Sequence, residues 1–114
     1  MVKMDCLFCK IVDGTIPASV VKQNNKVTAF NDISPQAPTH ILVIPNQHFK
    51  NLGEVSESDP DLAGEILKMA SQIAKEYGLD SWRININTGE SAGQSVFHAH
   101  IHLLGGRVFA WPPG

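Results

Sequence analysis

The sequence predicts an α+β fold in which a five-stranded antiparallel sheet carries one long and one short helix. Three observations predict this class. The length of 114 residues fits one domain, residues 1–114, with one hydrophobic core. The predicted elements follow the order helix, three strands, helix, two strands, with hairpins among the strands. The longer helix has a single apolar stripe, as expected for a helix that packs on a sheet.

The N-terminal half is predicted to form the short helix and three strands. Asp5 is the expected N-cap of this helix and Gly14 its C-terminal stop. The apolar residues that share one face of the helix are Leu7, Phe8 and Ile11. Residues 18–22 and 27–30 are predicted strands around a polar turn. Residues 41–44 form an apolar run rich in β-branched side chains, which favours a buried central strand.

The C-terminal half is predicted to form the long helix and two strands. Asp59 is the expected N-cap, Pro60 the first helical residue and Gly78 the stop. The stripe expected to be buried is Leu62, Ile66, Met69, Ile73 and Tyr77. Residues 82–87 alternate apolar with polar side chains, which predicts a strand with one wet face. Residues 96–104 are the last predicted strand.

Composition excludes several classes of protein. A net charge of -2 without a basic stretch disfavours a nucleic-acid groove, because such grooves need clustered Lys and Arg. No apolar run approaches the roughly 20 residues that a membrane helix needs. Residues 1–5 lack the long apolar stretch of a secretory signal. We therefore expect a cytoplasmic protein without nucleic-acid or membrane partners.

Three of the five histidines of the chain, His98, His100 and His102, alternate with apolar residues in the last predicted strand. Because alternate side chains point to opposite faces of a strand, the three imidazoles should share one face. The residues expected on the opposite, core-facing side are Phe97, Ala99, Ile101 and Leu103. A solvated strand face more often carries Thr, Lys, Glu or Ser, so the row indicates chemistry.

Nucleophilic catalysis on a phosphate is the chemistry that this row favours. A neutral imidazole is a good nucleophile near pH 7, and neighbouring imidazoles can hold its tautomer. Residues 93–95, Gly-Gln-Ser, add backbone N–H groups and a hydroxyl that can bind phosphate oxygens. A metal site is the alternative, since two histidines at i and i+2 can share one zinc ion.

The motif of residues 98–104, His-Ala-His-Ile-His-Leu-Leu, resembles the signature of the histidine triad family, His-φ-His-φ-His-φ-φ with φ apolar. Residues 30–40, 93–97, 105–107 and 111–114 resemble the Hint branch of that family, which holds the nucleoside phosphoramidases. The resemblance covers nearly the whole chain. It implies a histidine triad fold and hydrolysis of purine nucleoside 5′-phosphoramidates.

The resemblance implies separate roles for four histidines. His100 corresponds to the nucleophile, which attacks the α-phosphorus and forms a nucleotidyl-histidine intermediate. His102 corresponds to the contact with the phosphate oxygens, and His98 and His40 correspond to supporting histidines that orient the site. Ser95 corresponds to the hydroxyl near the leaving amine. From the residues alone, His40 is interpreted as a satisfied, partly buried histidine rather than a catalytic one.

The resemblance also implies a purine nucleotide site, for AMP, GMP and their phosphoramidates. Asn87, Gly93 and Gln94 correspond to contacts on the phosphate side, and Asp32 to the carboxylate that accepts from the ribose hydroxyls. The expected purine walls are Leu7, Phe8, Ile11, Phe30 and Ile33. From the residues alone, Phe8 also fits an ordinary core and Asp32 a turn.

Cys6 and Cys9 have a spacing that, in a reducing compartment, suggests metal or redox chemistry. Some bacterial histidine triad proteins bind zinc with such a pair and two histidines. By that resemblance, His48 and His98 complete a structural zinc site that catalysis does not require. Two partly buried thiols beside a surface histidine are the alternative.

The tail, residues 111–114, places Trp111 beside two prolines, where it cannot enter a regular element. An exposed Trp in this setting favours an interface. The resemblance implies a homodimer in which this segment reaches the active site of the partner. The alternative is a tail folded back on its own domain. Two alternative functions stay open, hydrolysis of dinucleoside polyphosphates and nucleotide binding by an adaptor with incidental hydrolysis.

Overall fold

Five antiparallel strands form one sheet in the order β1-β2-β3-β5-β4 in the computed structural model, which describes residues 5–114. The strands are β1 Val20–Gln23, β2 Val27–Asn31, β3 Thr39–Pro45, β4 Trp82–Asn85 and β5 Ile101–Gly105. The helices are α1 Leu7–Val12, α2 Leu52–Ser58 and α3 Pro60–Glu76, with a 3-10 turn at Glu90–Ala92. The predicted α+β class and the five-stranded antiparallel sheet are confirmed.

The long helix α3 covers one face of the sheet. Its N-cap is Asp59, whose side chain accepts a hydrogen bond from the backbone N–H of Leu62, as predicted. Ile66 and Ile73 are fully buried in the main core with residues of β2, β3 and β5. The prediction that Tyr77 is buried was wrong, since its side chain is 48% exposed. Tyr77 is the C-cap residue and lies beyond the last turn that contacts the sheet.

The short helix α1 covers part of the opposite face. Phe8 packs there with Phe30, Leu42 and Ile44 in a second, smaller core. The N-cap is Cys6 rather than the predicted Asp5, because the helix begins at Leu7 and the Cys6 Sγ accepts from the N–H of Cys9.

One short helix, α2, was absent from the prediction. Its N-cap is Asn51, which accepts from the N–H of Glu54, while the Glu54 carboxylate accepts from the N–H of Lys50. This reciprocal arrangement resembles a capping box, and the spacing of Asn51 and Glu54 was visible in the sequence. The fold therefore has two short helices besides the long one.

The last strand is shorter than predicted. β5 begins at Ile101, and the preceding residues 96–100 leave the sheet. The cause lies in the hydrogen bonds of the backbone: Ala99 donates to the carbonyl of Phe49, outside β3, at 2.7 Å. Phe97 was expected in the core but is 43% exposed, because it precedes the paired part of the strand.

Among residues 5–114, no helix is long and apolar enough to cross a bilayer. The expectation about a secretory signal rests mainly on residues 1–4, which lie outside the described residues.

Candidate active site

The five histidines of the chain form one connected group on the α1 side of the sheet. His40 lies on β3 and His102 on β5, and their ring centroids are 5.2 Å apart. The rings of His100 and His102 are 5.1 Å apart, and those of His48 and His98 are 5.0 Å apart. The alternation of apolar and histidine residues in the sequence predicted that three of these imidazoles form a row. Pairing of β3 with β5 adds His40, and the loop after β3 adds His48.

Backbone carbonyls fix the tautomers of His98 and His100. The Nε2 atom of His98 lies 2.8 Å from the carbonyl oxygen of Pro45, and the Nδ1 atom of His100 lies 2.8 Å from that of His98. A carbonyl oxygen only accepts, so each of these ring nitrogens carries the hydrogen. The Nδ1 lone pair of His98 and the Nε2 lone pair of His100 are therefore available.

A second chain of hydrogen bonds fixes His40 and His102. The backbone N–H of Gln36 donates to Nδ1 of His40 at 2.9 Å, so Nε2 of His40 carries the hydrogen. This Nε2 lies 2.9 Å from Nδ1 of His102 and donates to it. Consequently Nε2 of His102 carries a hydrogen and is a donor. The Asp32 carboxylate lies 3.4 Å from Nε2 of His40.

Burial keeps the triad neutral at physiological pH. Desolvation lowers the pKa of His98 to about 4 and also lowers the pKa of His100. Desolvation, reinforced by neighbouring His100 and His40, lowers the pKa of His102 to about 4. A neutral imidazole retains the lone pair that nucleophilic attack requires.

An apolar cavity of about 600 Å³ opens beside the triad and is called the apolar cavity below. The predicted purine-wall residues all line it: Leu7, Phe8, Ile11, Phe30 and Ile33. Asp32 and Ser95 lie at the same cavity. Phe8 and Phe30 pack edge to face with ring centroids 5.4 Å apart, and Phe8 also contacts the His100 ring at 5.2 Å. Phe8 thus belongs both to a core cluster and to the cavity wall.

Asp32 likewise combines two expected roles. One carboxylate oxygen accepts from the N–H of Ser34 at 2.7 Å, which is the turn contact. The side chain is half-buried and also faces the apolar cavity.

The side chain of Gln94 holds the loop that precedes the triad through three hydrogen bonds to the backbone. Its amide nitrogen donates to the carbonyls of Lys50 at 2.8 Å and Val96 at 3.0 Å, and its oxygen accepts from the N–H of Gly89 at 2.9 Å. The residue is 2% exposed. Its side chain positions the loop, a function that sequence reasoning missed, and the expected phosphate contact of Gln94 stays a prediction.

Asn87 and Gly93 lie at the other side of the same loop. The side-chain oxygen of Asn87 accepts from Asn85, while its amide nitrogen donates to the carbonyl of Ala92. Gly93 has a φ of 98°, a conformation that favours glycine, and a Cβ there would lie 3.3 Å from the Asn87 side chain. The loop thus places a closely packed backbone next to His102, which shares a cavity with Asn87 and Gly93.

Cys6, Cys9, His48 and His98 form a cluster that fits a zinc ion. Their ligand atoms lie within 4.8 Å of one another. Nδ1 of His98 is 3.3 Å from Cys6 Sγ and 3.5 Å from Cys9 Sγ, and Nδ1 of His48 is 3.5 Å from Cys9 Sγ. Two sulfurs and two imidazole nitrogens are a common tetrahedral zinc set. The Nε2–H bond of His98 to Pro45 supplies the outer contact that orients such ligands.

A second cluster, Asp32, His40 and His102, also has ligand atoms within 4.8 Å of one another. It does not fit a cation in the observed hydrogen-bond pattern. Nδ1 of His40 accepts from a backbone N–H, so Nε2 carries a hydrogen and has no lone pair for a metal. This cluster is better described as a hydrogen-bond relay.

Trp111 is 83% exposed and does not line the apolar cavity of its own chain. The structure therefore brings together the triad, His40, Ser95 and the purine walls, and leaves the indole outside.

Comparisons with known proteins point to one family. A family model for the HIT domain matches residues 13–109. An uncharacterized HIT-like protein of Synechococcus elongatus is 49% identical over 111 residues, 96% of this chain and 97% of that protein. The crystal structure of a HIT family hydrolase from Legionella pneumophila is similar with a TM-score of 0.93 and 46% identity, covering 96% of this chain and 100% of that one. A hypothetical histidine triad nucleotide-binding protein from Sulfolobus tokodaii has a TM-score of 0.77 and 34% identity, covering 88% and 68%.

Proposed function

The chain belongs to the histidine triad (HIT) family, and from that premise we propose that it is a purine nucleoside 5′-phosphoramidate hydrolase. The observation that carries the proposal is the fixed tautomer of His100. Its Nδ1–H donates to the carbonyl of His98, which leaves the Nε2 lone pair for attack. Beside it, His102 offers an Nε2–H donor because His40 occupies its Nδ1. Transfer of a nucleotidyl group needs such a pair, in which a nucleophile lies next to a donor that stabilises the phosphate oxygen.

In the first step, Nε2 of His100 forms a bond to the α-phosphorus and the P–N bond breaks. His102 donates to a non-bridging phosphate oxygen and stabilises the charge that develops there. The amine leaves with a proton taken from solvent near Ser95, a residue that lines the apolar cavity. The product is a nucleotidyl-His100 intermediate.

In the second step, water attacks the phosphorus and gives up a proton to solvent, the N–P bond to His100 breaks, and a nucleoside monophosphate forms. The imidazole of His100 is released neutral, because its low pKa disfavours the charged form. No metal takes part in either step.

The apolar cavity supports binding of a purine nucleoside. Its volume of about 600 Å³ is in the range of small-molecule sites, and Phe8 and Phe30 supply aromatic walls. In this proposal Asp32, which lines the cavity, accepts from the ribose hydroxyls. AMP, GMP and their phosphoramidates fit this combination of apolar wall and single carboxylate.

Turnover of adenosine 5′-phosphoramidate and of a diadenosine polyphosphate by the same preparation tests the proposal. We expect the phosphoramidate to have the higher kcat/KM. Preference for the polyphosphate would assign the chain to dinucleoside polyphosphate hydrolysis. Micromolar nucleotide affinity without turnover of either compound would identify a nucleotide-binding adaptor.

We also propose that Cys6, Cys9, His48 and His98 hold a structural zinc ion. When bound, zinc would join α1 to the loop after β3 and to the segment before β5. The catalytic nitrogen of His100 is separate from these ligand atoms, so hydrolysis does not require the metal.

A homodimer is the third proposal. β4 is an edge strand whose outer hydrogen-bonding groups are open, and unpaired edges favour strand addition. Exposed apolar side chains lie on or near this edge and in the tail: Trp82, Ile86, Val108 and Trp111. Light scattering at micromolar concentration should give twice the chain mass, and a monomer would contradict the proposal. The expected cytoplasmic location stays a prediction.

A further inference from the structure

The segment that follows β5 lies against the turn that precedes β3. The two strands pair antiparallel, and their register runs to Thr39 opposite Gly105. Because antiparallel neighbours run in opposite directions, the chain before β3 and the chain after β5 leave the sheet side by side. Gly106 has a φ of 90°, and a Cβ added there would lie 2.9 Å from Cβ of Pro38. A glycine at this position therefore lets the two segments approach closely.

Arg107 reaches across this approach and holds the backbone of the turn. Its Nε–H donates to the carbonyl of Gln36 at 2.8 Å, and an Nη1–H donates to the carbonyl of Val108 at 3.0 Å. The guanidinium also packs on the ring of Phe109, with Cζ 4.2 Å from the centroid. A planar group that has two carbonyl partners and an aromatic ring on one face keeps a single orientation. The Nε–H is therefore aimed at Gln36 by the segment that carries Arg107.

The turn itself, residues 33–38, has few other connections. Within the part of the chain that the structure describes, its other hydrogen bonds end on Asp32, Ser34 and His40. Gln36 is exposed, so burial in a core does not hold its backbone. The hydrogen bond from Arg107 joins this exposed residue to the end of β5.

The backbone of Gln36 is also the start of the hydrogen-bond relay to His102. Its N–H donates to Nδ1 of His40 at 2.9 Å, and Nε2–H of His40 donates to Nδ1 of His102 at 2.9 Å. A neutral imidazole has one N–H and one lone pair, so a change of tautomer in His40 would also change the tautomer of His102. The N–H of Gln36 can only donate, and it thereby selects the arrangement in which Nε2 of His102 carries the hydrogen.

We propose that Arg107 is a positioning residue for the reaction at the triad. By fixing the carbonyl of Gln36, it keeps the N–H of the same residue on His40 and so keeps Nε2 of His102 protonated. Its effect on catalysis rests on the proposed function, in which this Nε2–H donates to a phosphate oxygen. The tautomer of His102 is a property of the ligand-free protein and does not depend on the substrate.

The ¹⁵N shifts of His102 in ligand-free protein at pH 7 test the proposal. The wild type should show a protonated Nε2 and an unprotonated Nδ1. Arg107→Met keeps an apolar stem and removes the donor, so part of the population should adopt the other tautomer. The Nε2 shift should then move toward that of an unprotonated nitrogen, and the Nδ1 shift in the opposite direction. Unchanged shifts of both nitrogens would overturn the proposal.

Two matched variants separate the hydrogen bond from charge and from packing of the tail. Arg107→Gln places an amide nitrogen where Arg has Nε, so it keeps a donor for the Gln36 carbonyl without the charge and should retain most of the wild-type shifts. Arg83→Met removes the other guanidinium that packs on Phe109, whose Cζ is 5.0 Å from the centroid, and should leave the shifts of His102 unchanged. If either control changes the shifts as much as Arg107→Met does, charge or tail packing sets the tautomer and the proposal is overturned.

Turnover of adenosine 5′-phosphoramidate gives a second readout. In Arg107→Met we expect kcat to fall by about twofold to tenfold, the range for one hydrogen bond, with a smaller change in KM. Direct contact with the substrate is the alternative, because Arg107 also lines a cavity of about 360 Å³ that includes His102. A raised KM with unchanged ¹⁵N shifts would show such a contact and overturn the positioning role. If the wild type hydrolyses no phosphoramidate, the proposed function fails, while the ¹⁵N comparison still decides the role of Arg107.

Discussion

The Nδ1 atom of His100 lies 2.8 Å from the carbonyl oxygen of His98, two residues earlier in the same segment. The contact exists because residues 96–100 leave the sheet, so the His98 carbonyl is not used in pairing with β3. The irregular backbone that shortens β5 thus sets the tautomer of the proposed nucleophile. A regular strand would have placed three imidazoles in a row without selecting which nitrogen of each is free.

Replacing His100 by Ala should abolish the proposed chemistry. We expect kcat on adenosine 5′-phosphoramidate to fall by several orders of magnitude, as for removal of other catalytic nucleophiles. Rapid quench in alkali of the wild type with labelled substrate should trap label on the protein, and His100→Ala should trap none. A variant that keeps a rate near that of the wild type would show that another group attacks.

His40 should act through His102 rather than on the substrate. In His40→Ala the Nδ1 of His102 loses its donor, so part of the population adopts the other tautomer and loses the Nε2–H. We expect kcat to fall by up to about a hundredfold, the scale of one lost oxyanion donor, with a smaller change in KM.

The ¹⁵N shifts of His102 report this tautomer directly and should show a protonated Nε2 in the wild type. His40→Gln is the matched variant, because its amide N–H can replace the donor and should restore part of kcat. A His40→Ala variant with unchanged ¹⁵N shifts and unchanged kcat would refute the relay.

The depressed pKa of His102 makes stability depend on pH. Its pKa in the folded state is about 4, below the ordinary imidazole value of 6.5, because burial and the neighbouring His100 and His40 disfavour the charge. Between these values the unfolded chain binds more protons, so stability is fully present above pH 6.5 and is lost as the pH falls toward 4. For this partly exposed ring, the loss between pH 7 and pH 5 should be about 1 kcal/mol after solvent screening.

Urea unfolding of wild type and His102→Asn at pH 7 and pH 5 measures that contribution. The variant should show the smaller drop in the free energy of unfolding between the two pH values. Equal drops would mean that His102 titrates in the folded protein as it does in the unfolded chain.

Sequence patterns predicted the parts of this site that follow from regular geometry. The alternation of histidines placed the imidazoles on one face, and Asp59 with Pro60 located the start of α3. They could not predict the departure of residues 96–100 from the sheet, because the apolar alternation continues through them. Likewise Gln94, although noted beside the triad, showed no sign that its amide is held by the backbone of its own loop and of Lys50.

The zinc proposal predicts about one equivalent of metal per chain in protein purified without chelator. Removal of the metal should lower the melting temperature, because zinc binds the folded state. Cys9→Ser should lose most of the metal. His48→Asn removes a ligand that lies outside the triad, and should lose metal while retaining phosphoramidase activity. Less than about a tenth of an equivalent, with no effect of chelation on unfolding, would contradict the proposal.

Gln94 should be one of the most sensitive polar positions for stability. Gln94→Met preserves the approximate size but leaves the carbonyls of Lys50 and Val96 and the N–H of Gly89 without their partner. The free energy of unfolding should fall by about 2–4 kcal/mol, the cost of buried groups left unpaired. Gln94→Glu should lose more stability at pH 7, because a carboxylate would face two carbonyl oxygens, and should recover part of it at pH 5 on protonation.

Gln47→Met is the control, at an exposed position, and should change the free energy of unfolding by less than about 0.5 kcal/mol. Urea unfolding of the three variants measures these effects. Equal effects at positions 94 and 47 would show that Gln94 does not stabilise the loop that precedes the triad.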